Sequence, residues 1–139
     1  MRVALALVLI CACGSHAPPP QTPPPGPPPI DPVQLAARLR QDFVTLRDIA
    51  HRQLGQCEPL VAELRPHVVG MQAHAGEVAR AMQSEDRALR DRVRVEVARY
   101  DDELRSVSDT IAADLATTYR SCHDPQPLVD VIRQIPSLP

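Results

Sequence analysis

Two histidines and a methionine lie at helical spacing near the middle of the chain, and their side chains can bind metals. His67, Met71 and His74 occupy positions i, i+4 and i+7, so they share one face of a helix. Either neighbouring pair suits a soft or borderline metal ion, and His123 is a further candidate ligand. His67 and His74 are about 10.5 Å apart along a helix axis, too far to bind one ion together. The favoured interpretation is a core methionine flanked by histidines, with no metal and no cofactor.

The sequence contains no nucleophile elbow, HExxH, phosphate-binding loop or dinucleotide glycine pattern, so we do not expect an enzyme. All 15 basic residues are arginine, against 17 acidic residues and a net charge of −2. A mildly acidic chain with interspersed charges is a poor candidate for nucleic-acid binding, which requires a clustered positive surface. With one Phe, two Tyr and no Trp, the core must consist of Leu, Val, Ile, Ala and Met.

The N-terminus places two cysteines directly behind a short apolar run. Arg2 provides a positive start, and residues 3–10 are continuously apolar. A run of this length is too short to span a bilayer, which needs roughly twenty residues, and it is typical of a secretory signal. In Ile10-Cys11-Ala12-Cys13 a branched apolar residue lies three positions before Cys13 and a small residue lies just before it. This pattern resembles the lipobox of bacterial lipoproteins, and an ordinary cleaved signal with incidental cysteines is the alternative.

The lipobox resemblance implies a diacylglyceryl thioether on Cys13 and removal of residues 1–12. Cys11 departs from the family pattern, which more often has Ala, Ser or Thr there, and it would leave with the signal. Gly14 stands where an Asp would retain a lipoprotein in the inner membrane, so the resemblance implies the outer membrane, with the protein facing the periplasm. The two or three acyl chains of a lipoprotein anchor stably, whereas one chain holds weakly.

A proline-rich tether follows the anchor in residues 13–30. Residues 18–32 hold ten prolines in fifteen positions, which excludes a helix or a sheet ladder and favours polyproline II. At about 3.1 Å per residue this stretch reaches roughly 45 Å as a semi-rigid spacer. We expect it to hold the folded part away from the membrane, and a proline-rich ligand for a partner domain is the less favoured alternative.

Residues 31–139 carry the helical patterns of one small domain. Asp31 and Pro32 suit the cap and first position of a helix that Gly55 would stop. Three apolar stripes follow one another: Leu35, Leu39, Phe43, Leu46, Ala50 and Leu54; Leu60, Leu64, His67, Met71, His74, Val78 and Met82; Leu89, Val93, Val97, Tyr100, Leu104, Val107, Ile111, Leu115, Tyr119 and Cys122. Pro66 should kink or interrupt the second helix. The third stripe predicts one long helix, typical of a bundle or coiled coil.

These elements predict an all-α fold, an antiparallel three-helix bundle or helical hairpin with a short C-terminal helix. A capping Ser84 followed by acids places the turn between residues 84 and 91. Residues 127–135 can form the closing helix through Leu128, Val131 and Ile135. Val95 lies off the main stripe, so we expect it to contact that final helix or another chain. A single extended rod is the alternative fold.

Cys57 and Cys122 are the only cysteines left unmodified by the expected processing, in an oxidising compartment where free thiols do not usually persist. We predict a disulfide between them, because a turn near residue 90 would bring the start of the second helix beside the end of the third. A turn at Ser84 would make the third helix roughly 15 Å too long unless Pro66 takes up the difference. Two unpaired buried thiols are the alternative.

The segment Tyr119-Arg120-Ser121-Cys122-His123 resembles the Cys-x-x-Cys-His haem site near the end of the last helix in cytochromes c′. In that family two cysteines attach the haem and the histidine ligates iron. Only Cys122 and His123 match here, since Tyr119 replaces the first cysteine.

The sequence as a whole favours a lipid-anchored envelope protein with a non-catalytic structural or protein-interaction role, through an envelope partner or homo-oligomer. A periplasmic metal or haem binder is the alternative.

Overall fold

The computed structural model describes residues 29–137, and its regular elements in this range are five α-helices with no strand. They are α1 (Pro32–Arg52), α2 (Cys57–Met82), α3 (Arg87–Ala98), α4 (Asp101–Ser121) and α5 (Gln126–Ile132). The predicted all-α bundle is confirmed, and the single rod is wrong because α1 packs against α2, α3 and α4. Within this range, no helix has the apolar length that a bilayer crossing requires.

The start of α1 follows from its capping residues. The Asp31 carboxylate accepts the backbone N–H groups of Val33 at 3.0 Å and Gln34 at 3.4 Å, and Pro32 occupies the first helical turn. The helix ends at Arg52, earlier than predicted, so Leu54 lies outside it and is 43% exposed. Gly55 has a φ of 77° in the connecting loop, a left-handed conformation that glycine adopts without steric cost.

Polar pairs fix the direction of each helix against α1. Arg38 pairs with Glu77 and Arg52 pairs with Glu63, so α2 runs antiparallel to α1. His51 meets Asp114 at 3.2 Å, at the C-terminal ends of α1 and α4. Arg40 pairs with Glu103 nearer the N-terminal ends of the same two helices. Because residues later in α1 pair with residues later in α4, the two helices run parallel. The result is the up-down-up order of a three-helix bundle, with α3 and α4 together as its third limb.

The turn between α2 and α3 lies at residues 83–86, at the early edge of the predicted window. Asp86, rather than Ser84, caps α3, because its carboxylate accepts the N–H groups of Ala88 at 2.9 Å and Leu89 at 3.2 Å. The Ser84 hydroxyl instead accepts the Asp86 N–H within the turn. The sequence therefore located the turn correctly but assigned its cap to the wrong residue.

The prediction of one long third helix is wrong, because the chain breaks at residues 99–100. Tyr100 has φ −103° and ψ 4°. Its N–H donates to the carbonyl of Val97, three residues earlier, at 3.0 Å, whereas an α-helical N–H donates to the carbonyl four residues earlier. Three acids, Asp101 to Glu103, then form the first turn of α4, where they favour the helix N-terminus. The apolar stripe keeps its phase across the break, which is why periodicity alone hid it.

The three remaining fold predictions concern Pro66, the closing helix and Val95. Helix α2 continues through Pro66 from Cys57 to Met82, so Pro66 does not interrupt it. The short closing helix is confirmed as α5, with Leu128 and Val131 buried. It packs on α2. Val95 is 56% exposed, and its contact with the final helix or with another chain stays a prediction.

The core runs the length of the bundle and is almost entirely aliphatic. Its fully buried side chains include Leu46, Leu60, Leu64, Met71 and Leu128. Phe43 is the one aromatic residue among the buried hydrophobic residues of the described range. This composition agrees with a core built from Leu, Val, Ile, Ala and Met.

Candidate functional site

The predicted cysteine pair is brought together at one end of the bundle. Cys57 is the first residue of α2, and Cys122 follows the last residue of α4. The structure joins them as a disulfide with Cα atoms 5.3 Å apart, inside the range that the bridge requires. The pair lies at the C-terminal ends of α1 and α4, opposite the end of the bundle at which Asp31 caps α1.

A buried threonine fixes the α1–α2 loop beside this disulfide. Thr118 is fully buried, and its Oγ1 accepts the Gly55 N–H at 2.9 Å. The single proton of the Ser121 hydroxyl is shared between the Thr118 carbonyl at 2.7 Å and the Gly55 carbonyl at 3.1 Å. Both backbone groups of Gly55 therefore contact side chains of α4, and these polar contacts hold the loop together with the disulfide.

The two central histidines both face Asp42 on α1. His67 Nε2 lies 2.9 Å from the Asp42 carbonyl oxygen, which only accepts, so this nitrogen donates. His74 Nδ1 lies 2.8 Å from the Asp42 carboxylate, whose side chain is 13% exposed. The sequence did not reveal these contacts, because periodicity identifies a helix face and not the polar group opposite it.

These contacts assign the histidines to the α1–α2 interface. Met71 is 1% exposed and belongs to the core, where its sulfur packs among apolar side chains. Among residues 29–137 no three His, Cys, Asp or Glu side chains lie close enough to hold a metal ion. The arrangement therefore works as a set of interhelical hydrogen bonds in which Met71 fills the space between them.

Cys122 and His123, the two residues that match the haem motif, do not form a haem-attachment site in this structure. Cys122 is bonded to Cys57 and has no thiol to offer to a haem vinyl group. His123 is exposed after the end of α4, beside a shallow hollow that also includes Pro59 and Arg65. The residues that resemble a cytochrome c′ site thus have no attachment cysteine available in the disulfide-bonded chain.

One exposed ion pair joins α1 to α4 through two short hydrogen bonds. Arg40 donates to Glu103 through Nε at 2.8 Å and through its terminal nitrogen at 2.6 Å. These hydrogen bonds, with the attraction of opposite charges, lower the pKa of Glu103 and raise the pKa of Arg40. The Arg40 guanidinium also lies 5.6 Å from the centre of the Tyr100 ring. The break between α3 and α4 is therefore tied to α1.

An apolar groove opens between α4 and α5, and sequence reasoning missed it. It encloses about 590 Å³. Phe43 and Leu46 of α1 form its floor, and Ile111 and Leu115 form the α4 wall. The opposite side consists of four residues at and beyond the end of α5: Ile132, Ile135, Pro136 and Ser137. Among the described residues, those that line the groove come from α1, from α4 and from the chain after Val131.

The mouth of the groove is made of small and uncharged side chains. Ala112 and Ala116 lie on exposed α4 positions beside it, and Tyr119 is 46% exposed at one end. None of the described residues that line the groove carries a charge. The stripe pattern identified Ile111, Leu115 and Tyr119 as apolar positions, but it held no information on how the residues at the end of α5 lie beside α4.

Comparisons with known proteins identified no relative of this chain. No family model matches the chain, and neither the curated proteins nor the solved structures gave a match. Cys13 and the rest of the lipobox pattern lie outside the described residues. Functional inference therefore rests on the sequence of the N-terminus and on the geometry of the bundle.

Proposed function

We propose that this chain is a lipid-anchored cell-envelope protein whose helical bundle has a non-catalytic structural or protein-interaction role. The observation that carries the proposal is the disulfide-linked pair of Cys57 and Cys122. Disulfides persist in oxidising compartments and are rare in the cytosol of most bacteria. A bundle stapled in this way is compatible with the secreted, lipoprotein-type leader that Ile10-Cys11-Ala12-Cys13 resembles.

The layout of the bundle fits a module carried at the end of a tether. The proline-rich stretch meets α1 at its Asp31 cap, and α1 extends about 31 Å from there. The disulfide and the docked Gly55 loop lie at the far end of α1. A bundle held by its near end would present this rigid far end away from the outer membrane, where an envelope partner or second copy can reach it.

The second candidate function, a periplasmic metal or haem binder, has weaker support. It would require His67, Met71, His74, or the Cys122-His123 pair. In the described residues His67 donates to a carbonyl, Met71 is buried and Cys122 is in a disulfide. Elemental analysis and a visible spectrum of the purified protein separate the candidates, because a stoichiometric metal or a Soret band would favour the binder.

The anchor is tested with two single substitutions in the native host. Cys13→Ser removes the thiol that forms the thioether, so the protein should leave the membrane fraction or retain its signal. Cys11→Ser is the matched control and should change neither fractionation nor mature mass. A Cys13→Ser protein that is processed and still partitions into detergent would overturn the lipid anchor. Crosslinking of the wild-type protein, followed by mass spectrometry, then identifies the envelope partner.

A further inference from the structure

We infer that a second copy of this chain docks antiparallel along the exposed face of α3 and α4. The contact face, called the outer strip here, consists of exposed side chains on the side of the third limb away from the core. Helix α3 and its C-terminal cap supply Ala88, Arg92, Val95 and Arg99. Helix α4 supplies Asp102, Ser106, Asp109 and Ala113. The inference deepens the protein-interaction role proposed above and rests on it.

The spacing of the outer strip is that of a contact between two helices. Its residues follow one another at alternating intervals of four and three from Ala88 to Ala113, the repeat by which two helices pack side by side. The repeat continues across the break between α3 and α4. Ala88, Ser106 and Ala113 are small, so another backbone can approach closely, and Val95 is 56% exposed and offers an apolar contact.

The two halves of the outer strip carry opposite charges in a symmetric order. The α3 half contains Arg92 and Arg99, and the α4 half contains Asp102 and Asp109. Each arginine has an aspartate at the same distance from one point in the chain, between residues 100 and 101. A copy turned by 180° about that point therefore places Arg92 opposite Asp109 and Arg99 opposite Asp102. Because a two-fold contact occurs twice, the dimer contains four such pairs.

The charged side chains of the outer strip are available for these pairs. Within the described residues Arg92, Asp102 and Asp109 take part in no ion pair, and Arg99 pairs only with its helix neighbour Glu96, at 3.1 Å. An arginine side chain is long enough to reach a facing carboxylate while its guanidinium stays in contact with water. The four pairs thus form without burial of an unpaired charge.

The mixed charge of the outer strip argues against other kinds of partner. An anionic membrane or a nucleic acid that attracted Arg92 and Arg99 would also meet two carboxylates on the same face. A parallel copy would place each charge opposite its own kind, which is unfavourable. An antiparallel copy places every charge of the strip opposite its complement.

The size of the outer strip indicates a weak dimer. The strip is about 38 Å long and one helix of about 10 Å wide, which gives a footprint of roughly 400 Å² on each copy. A stable interface buries about 800 Å² on each partner. Copies that are anchored to one membrane are confined near each other, and this raised effective concentration favours a weak contact.

The test uses the full-length protein from the native host, in detergent micelles of matched density that suit lipidated and unlipidated chains alike. Sedimentation equilibrium should show a dimer that weakens as salt rises from about 0.02 M to about 0.5 M, because salt screens exposed charges. Arg92→Glu with Arg99→Glu should weaken the dimer at least tenfold, and so should Asp102→Arg with Asp109→Arg. An equimolar mixture of these two variants should dimerise like wild type, because each reversed half then meets its complement.

The matched control reverses two arginines outside the outer strip. Arg65→Glu with Arg80→Glu, at exposed positions of α2, changes the net charge by the same amount and should leave the dimer intact. Circular dichroism checks that every variant keeps its helical content. Equal weakening in this control and in the α3 variant would overturn the inference, because net charge and not the strip would then govern association.

Further outcomes would also overturn the inference. One is a wild-type protein that stays monomeric in all conditions, and another is a mixture of the two reversed variants that stays monomeric. A dimer that withstands both reversals would assign the contact to a different surface. Crosslinking of a monomeric wild type to another envelope protein, lost in the α3 variant, would assign the strip to that protein. None of these outcomes changes the anchor test on Cys13, which measures fractionation and mature mass.

Discussion

Arg40 and Glu103 are separated by 63 residues in the chain and form two hydrogen bonds across α1 and α4. The same separation of 63 recurs in the pair of His51 and Asp114, and again in the Gly55–Thr118 bond. A constant offset means that α1 and α4 lie parallel and in register over about four turns. The third limb of the bundle is thus positioned by polar pairs, in addition to its apolar stripe.

The Arg40–Glu103 pair should make stability depend on acid. The pKa of Glu103 is lowered from its ordinary 4.5, so its stabilising effect is present above that pH and is lost as pH falls through the folded-state pKa. Glu103→Gln should therefore melt below wild type at pH 7, and the gap should close towards pH 3. The difference should be no more than a few degrees, because exposed ion pairs contribute little.

Thermal melts followed by circular dichroism measure this effect at each pH. Glu85→Gln, at an exposed position in the turn between α2 and α3, is the matched control and should melt with wild type at pH 7. A gap between wild type and Glu103→Gln that stays constant from pH 7 to pH 3 would show that the carboxylate charge is not what stabilises the pair.

Thr118 should be the most sensitive polar position at the far end of the bundle. Thr118→Val keeps the shape of the side chain but leaves the Gly55 N–H without its acceptor. Loss of one hydrogen bond costs about 0.5–1.5 kcal/mol, and urea unfolding should show a loss of this size. Thr117→Val at the exposed neighbouring position is the control and should change stability by less than about 0.5 kcal/mol. Equal losses in both variants would contradict the role of the Thr118 hydroxyl.

Local sequence signals predicted those parts of the fold that local chemistry determines. Asp31 and Pro32 specify the start of α1 because cap and first turn need only their immediate neighbours. The break at Tyr100 was missed because its apolar phase is continuous with both flanking helices. The acids Asp101 and Asp102 are typical of a first helical turn and were the signal that could have located it.

Of the contacts between helices, the sequence predicted only the cysteine pair, because that contact follows from the order and direction of the helices. Cys57 and Cys122 could be matched because an antiparallel hairpin brings its two ends together. The Asp42 contacts of His67 and His74 depend on the rotation of α1 against α2, which periodicity does not fix. The groove depends on how the residues at the end of α5 lie beside α1 and α4, and periodicity does not fix that placement.

The disulfide should contribute a large share of the stability of the bundle. It closes a loop across 65 residues, which corresponds to roughly 4 kcal/mol in the chain-entropy model. The Cys57→Ala, Cys122→Ala double variant should therefore melt roughly 15–30 °C below the oxidised wild type. Reduced wild type should show a similar loss. Intact mass after alkylation provides the direct check, and two alkylated thiols in protein isolated from the native host without reductant would refute the bridge.

The tether should act as a spacer that does not stabilise the bundle, whereas the cap beside it should matter. Replacing residues 18–29 with a Gly/Ser chain of equal length removes the polyproline geometry but keeps Asp31 and both of its N–H contacts. We expect the same helical content and the same free energy of unfolding in urea. Asp31→Ala, with the natural tether, should lose about 1 kcal/mol because two N–H groups at the helix start lose their acceptor. A tether replacement that destabilises as much as Asp31→Ala would mean that the prolines pack on the bundle.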